Sequence, residues 1–245
     1  MRFKIMLAVL IAALCLGVAG PAYAEGTGDD PKPTENKDRK ADVSLEAEYQ
    51  LWLEAGSSEE SSTSEVGAAA VIAPYRYLWT PSHAQERSYW CGPATVQIID
   101  DYFGTPASQY EISKYLRTTP NGTDFTRVDD ALRFFTKHYD YTYRTCTSHA
   151  DFRSRVQYGI KTKGHPCAVD MKVIADRMNN YRHDHAGHIV PIEAFDWRYG
   201  IVRINDPYDE AYWRSGGGST FGHKTYPVNQ ISTAVMAHFR HAIVF

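Results

Sequence analysis

The chain has 245 residues, 43% of them apolar and 13% aromatic, and a formal net charge of −3. That composition suits a globular core in one or two domains. A near-neutral balance without a long basic run gives no field that would draw nucleic acid or an anionic membrane to the surface, so both partner classes are excluded.

Residues 1–24 read as a secretory signal: Arg2 and Lys4 precede the apolar run "IMLAVLIAALCLGVAG", and "AYA" ends at Ala24 with the small residues a signal peptidase needs. Pro21 and the length of the run argue against a retained anchor. Cys15 does not make a lipobox, because Leu14 stands where a small residue is needed. The expectation is a secreted, extracellular protein with no membrane contact once the signal is removed. Cleavage leaves Cys91, Cys146 and Cys167, an odd number in an oxidising compartment. Whether Cys146 and Cys167 pair is open, since disulfide geometry cannot be read from sequence.

Residues 25–72 are polar and charged, with too little apolar surface to offset the entropy of ordering, and read as a disordered linker or removable pro-segment. Within them "VSLEAEYQLWLEA" has the spacing of a short amphipathic helix. The folded domain is expected over 73–245. After Cys91 the apolar positions Ala94, Val96, Ile98, Ile99, Tyr102 and Phe103 predict a buried helix ended by Gly104. "SQYEISKYLR", with Ser108 and Glu111 spaced as a capping box, "RVDDALRFFTKHY" and "ADFRSRVQYGIKTK" predict three more. The character then changes, because "PCAVDMKV", "HIVPIEAFDW", "GIVRINDP" and "HAIVF" are short, β-rich and bounded by turn residues, with "DWRYG" as a hairpin turn. Helices first and strands second predict an α+β fold, N-terminal helices packed on a C-terminal antiparallel sheet.

Cys91 is the position with the most chemistry. At the start of a helix, unpaired N–H groups and the positive dipole end favour a thiolate, and Gly92-Pro93 suits that entry. A buried structural cysteine would suit the same place. Three other residues bear on the choice. Gln85, six residues upstream, could join the Cys91 backbone N–H in binding an oxyanion. His188 opens an apolar strand, where an imidazole could serve as base. Asp206 ends the next strand and would reach His188 if the two pair through "DWRYG". Each alone has an ordinary explanation, as a surface amide, a strand-edge histidine or a turn former before Pro207.

Together, "QERSYWCGPATVQII", "AGHIVPIEAFDW" and "IVRINDPY" resemble the cysteine, histidine and aspartate motifs of the peptidase C39-like family, over roughly residues 75–245. The resemblance implies a papain-like fold and a thiol hydrolase acting on a peptide or protein substrate without a cofactor or metal. It makes Cys91 the nucleophile, His188 the general base and acid, Asp206 the orienting residue and Gln85 the oxyanion donor. Members that process double-glycine leaders are fused to transporters, so that substrate is not inherited. Competing readings are a transglutaminase-like acyl transferase, a non-catalytic peptide-binding module, and a zinc site at His183, His185 and His188. The zinc reading lacks the aspartate a metallo-β-lactamase motif would place at Gly187, and the flanking "ADRMNNYR" puts His183 and His185 on an exposed loop. The Gly-rich "YWRSGGGSTFGHKTY" suggests a mobile rim, and oligomeric state is not legible.

Overall fold

A run of apolar residues on every side of the helix after Cys91 has no solvent face, so other elements must surround it. In the computed structural model of the chain, which describes residues 74–104 and 106–245, that helix is α1 (Cys91–Tyr102), and Ala94, Val96, Ile98 and Ile99 are all inaccessible. The signal, the 25–72 segment with its short helix, and the boundary at residue 73 lie outside the described residues. Two helices flank α1. The first, α2 (Gln109–Leu116), begins on the expected capping box, in which Ser108 accepts from the Glu111 N–H and Glu111 accepts from the Ser108 N–H. The second is α3 (Val128–Thr136). The fourth expected helix, α4 (His149–Gln157), starts on Ser148 and runs into a π-helical turn at Tyr158–Lys163.

Seven antiparallel strands form one sheet: β1 (Tyr75–Tyr77), β2 (Tyr143–Thr145), β3 (Cys167–Val173), β4 (His185–Asp196), β5 (Ile201–Asp206), β6 (Gly222–Pro227) and β7 (Ala242–Val244). Their order is β2-β7-β3-β4-β5-β6, and β1 pairs with the far end of β4. The side-chain period of two sorts the strands' residues between two cores. Ala168, Ile189 and Val244 face α1, α2 and α3, joining Val96, Ile99, Ile112, Leu116 and Leu132. Val169, Val190 and Ile243 face the other way, joining Phe152 and Val156 of α4 and Ile231 and Val235 of α6 (Val228–Ala237), which follows the one-turn α5 (Glu210–Trp213) in the chain.

The α+β architecture is the expected one, with one refinement of order. Strand β2 precedes α4, and β6 and α6 interrupt the C-terminal strands, so helices cover both faces of the sheet. Cys146 and Cys167 remain separate buried thiols. Among the described residues no helix is long and apolar enough to cross a membrane.

Candidate active site

The site lies where α1 begins against the middle of the sheet. The helix entry is tight: a Cβ on Gly92 would stand 2.6–2.8 Å from the side-chain atoms of Thr123, so only glycine lets the first turn approach that loop. Pro93 follows in the first turn, where a missing N–H costs nothing. Trp90 occupies the N-cap without a side-chain cap, so no side chain there competes for the donors at the helix start. Two contacts hold this end of α1 to β4. The Ile189 N–H donates to Cys91 Sγ at 3.4 Å, and the Thr95 hydroxyl donates to the Ile189 carbonyl at 2.9 Å. The sulfur therefore rests against the peptide that follows His188.

His188 pairs with Met171 across β3, and the turn at Trp197–Gly200 returns the chain as β5, bringing Asp206 to the imidazole. His188 Nε2 lies 2.8 Å from Asp206 Oδ1, and both residues are inaccessible. The Tyr208 N–H donates to the same Oδ1 at 2.9 Å, and the Tyr181 hydroxyl donates to Oδ2. Burial and the nearby Asp206 raise the Tyr181 phenol well above its ordinary range, so it stays a donor. With donors on both its oxygens, Asp206 acts as the acceptor for His188 Nε2–H. That tautomer leaves Nδ1, which makes no hydrogen bond, as the basic nitrogen.

Gln85 is buried, and its backbone N–H donates to the Pro207 carbonyl at 2.8 Å, so the upstream segment does fold back onto the end of β5. Its side-chain amide donates to the Arg87 carbonyl at 2.8 Å. The same segment is tied again at Asn205, whose amide donates to Thr80 Oγ1 at 2.9 Å and to the Thr80 and Pro81 carbonyls. All four expected site residues thus come to one region: Cys91 beside β4, His188 on Asp206, and Gln85 on the residue after Asp206.

A second buried pair lies beside the first and escapes a reading of sequence. His185 Nε2 is 2.9 Å from Glu210 Oε1, and the His185 and His188 ring centroids are 6.4 Å apart. This corrects the expectation that His185 sits on an exposed loop, since it is 1% accessible while His183 is half-buried. Burial lowers His185 to about 4, so it is neutral near pH 7. Glu210 is held below its ordinary range because N–H groups of Gly218, Arg182 and His183, together with His185, outweigh its burial. The Gly-rich segment is correspondingly tied down rather than a loose rim. The Gly218 N–H donates to Glu210 Oε2 at 2.6 Å, and a Cβ on Gly218 would collide with the Asn180 carbonyl at 1.6 Å.

The structure thus shows a histidine oriented by a carboxylate, and a thiol held on the N–H of the residue that follows that histidine, the residue types that acyl transfer through a thiol uses. Comparison with known proteins places the chain. It is similar in structure to a double glycine motif protease from an AMS/PCAT transporter in complex with the leader peptide, at 15% identity over 69% of this chain and 92% of that one, TM-score 0.41. It is also similar to the peptidase domain of Streptococcus ComA, a bi-functional ABC transporter involved in a quorum sensing pathway, at 13% identity over 67% and 95%, TM-score 0.42. A third is Xylellain, a cysteine protease from Xylella fastidiosa, at 14% identity over 75% and 90%, TM-score 0.47. No curated protein matches the sequence. The Peptidase_C39 like family matches residues 77–226, more than half of the sequence, and the chain belongs to that family.

Proposed function

We propose that the protein is a secreted cysteine peptidase in which Cys91, His188, Asp206 and Gln85 carry the reaction. The observation that carries this reading is the 2.8 Å bond from His188 Nε2 to Asp206, which fixes the imidazole tautomer beside a sulfur seated against the Ile189 N–H. His188 Nδ1 takes the Cys91 thiol proton, and the thiolate forms a bond to the carbonyl carbon of a peptide. The resulting oxyanion is stabilised by the Cys91 N–H at the start of α1 and by the Gln85 amide. On collapse the C–N bond breaks, and the imidazolium returns its proton to the leaving amine. Water then attacks the thioester with His188 again as base, releasing the acid and restoring the thiol. Asp206 holds the ring and stabilises the imidazolium throughout, while Tyr181 and the Tyr208 N–H hold Asp206.

The test is labelling with a thiol-directed electrophile across a pH series, together with turnover of a peptide pool, in the parent, Cys91→Ala and His188→Ala. An activated site reacts through Cys91 at a pH well below that of an ordinary thiol, and loses that low-pH reactivity in His188→Ala. Equal reactivity in His188→Ala sinks the reading. Secretion is tested separately by N-terminal sequencing of exported protein, which on this reading begins after Ala24.

A further inference from the structure

At the other end of α1, away from Cys91, the chain gathers two histidines and an aspartate that no step above uses. His138 and Asp140 sit on the connection from α3 to β2, and His165 lies between the π-helical turn and β3. The Phe103 ring, just past the end of α1, packs on both imidazoles, at 4.0 Å from His138 and 5.4 Å from His165. The two imidazole centroids are 4.7 Å apart, and Tyr141 stacks on the far side of His165 at 5.1 Å. His165 is 6% accessible, and its Nδ1 is buried without a hydrogen-bond partner, 3.6 Å from Asp140 Oδ1 and so too far for a hydrogen bond. A polar atom left bare in that position calls for a ligand. One ligand atom from each of the three residues lies within 4.8 Å of the others, the one such group among the described residues.

We propose that His138, Asp140 and His165 form a divalent metal site of the zinc class that clamps the α3–β2 connection and the entry to β3 against the end of α1. Two imidazoles and one carboxylate are the donors zinc favours, whereas magnesium and calcium seek oxygen. Bonds of about 2.0–2.2 Å at tetrahedral angles place ligand atoms about 3.4 Å apart. The His165–Asp140 separation of 3.6 Å is already close to that value. His138 and Asp140 are half-buried and one ligand atom of each lies within 4.8 Å of the others, so small side-chain shifts would complete the set, with water as fourth ligand. Lys163 is the neighbouring cation. It donates to the Asp140 carbonyl and lies 3.7 Å from Oδ2, which leaves Oδ1 turned to His165. Burial lowers His165 and outweighs the opposing pull of Asp140, with His138 and Lys163 adding to the lowering, which favours the neutral ring a metal requires. The 12 residues of α1 put this site about 18 Å from the start of the helix, a separate locus from the thiol.

The experiment uses the full chain carrying Cys91→Ala, so that the thiol at the other site cannot take the ion. The protein is stripped with chelator and titrated with Zn²⁺ by calorimetry, and a Co²⁺-loaded sample is read for its visible absorption. One equivalent of zinc, with affinity falling at least about tenfold in both Asp140→Asn and His138→Gln, supports the site. So does a rise in Tm of about 5–10 °C at a hundredfold excess over Kd, seen in the parent and absent from both variants. The two substitutions fall on part-exposed side chains, so folding of each variant is checked by its Tm without metal. No binding by the Cys91→Ala chain, or binding unchanged in the two variants, overturns the proposal.

Discussion

Cys91 and Cys167 are both fully inaccessible, yet their surroundings differ in kind. Cys167 opens β3 in the middle of the sheet. Its sulfur fills the space above Gly159, where an added Cβ would come within 2.6 Å of it, and burial pushes its thiol up to about 12. Cys146 is raised further by the same cause. Cys91 stands instead at a helix start with an N–H donating to its sulfur and a histidine–aspartate pair next door. On the proposed mechanism, burial alone therefore does not separate a structural thiol from a reactive one; what separates them is whether the neighbours favour the charged form.

The largest expected difference is in turnover. On the proposed mechanism Cys91→Ala lowers kcat/KM by about 10⁴-fold or more, while Cys167→Ala, in a chain shown to be folded by its circular dichroism, stays within a few-fold of the parent. Loss of turnover in a folded Cys167→Ala chain would break the comparison. Asp206→Asn is next, with a fall in kcat of about 10³- to 10⁴-fold from the disturbed tautomer. Tyr181→Phe, which removes one hydrogen bond to the same carboxylate, costs about 10- to 100-fold, measured in the same assay.

Labelling comes third: at neutral pH an electrophile should modify Cys91 at least about 10³ times faster than Cys146 or Cys167, which react only after unfolding. Mass mapping of the adducts decides it. Smaller still is the packing term. Gly159→Ala forces a methyl onto the Cys167 sulfur and should destabilise by about 1–3 kcal/mol in urea unfolding. Cys167→Ala should relieve part of that cost, so the double variant will be less unstable than the sum of the two.

Acid should reveal the cost of the polar neighbourhood beside Cys91. His185 is lowered to about 4 in the fold, against an ordinary 6.5 in the unfolded chain. Between those values the unfolded state binds more protons, so its contribution is complete above about pH 6.5 and is lost as pH falls toward 4. Comparing unfolding of the parent and His185→Gln over that window isolates this residue from His165, which shifts in the same direction. The expected difference in the pH dependence is about 1–3 kcal/mol. Equal slopes would show that His185 is not the neutral buried group described.

Much of the site was legible because its parts are local. Gly-Pro marks the entry to α1, "DWRYG" marks the hairpin, and the hairpin alone puts Asp206 beside His188. The pieces that escaped depend on partners far along the chain. Glu210 sits in a Gly-rich stretch that looks solvated, and nothing near it in sequence announces His185, 25 residues away. Tyr181 lies in the polar run "NNYRHDH", which gives no sign that its hydroxyl reaches Asp206. Strands β1 and β2 are three residues each, too short to show a period of two, and α6 follows β6 without a break. The His138, Asp140 and His165 group is beyond sequence for the same reason, since only the fold closes the 25-residue gap to His165.

The segment from Thr80 to Gln85 is bonded to Asn205 and Pro207 on either side of Asp206. For protein engineering this means that the two candidate groups at opposite ends of the reaction, the oxyanion amide and the ring-orienting acid, share one mounting, and insertions or loop grafts just after Pro207 would move both together.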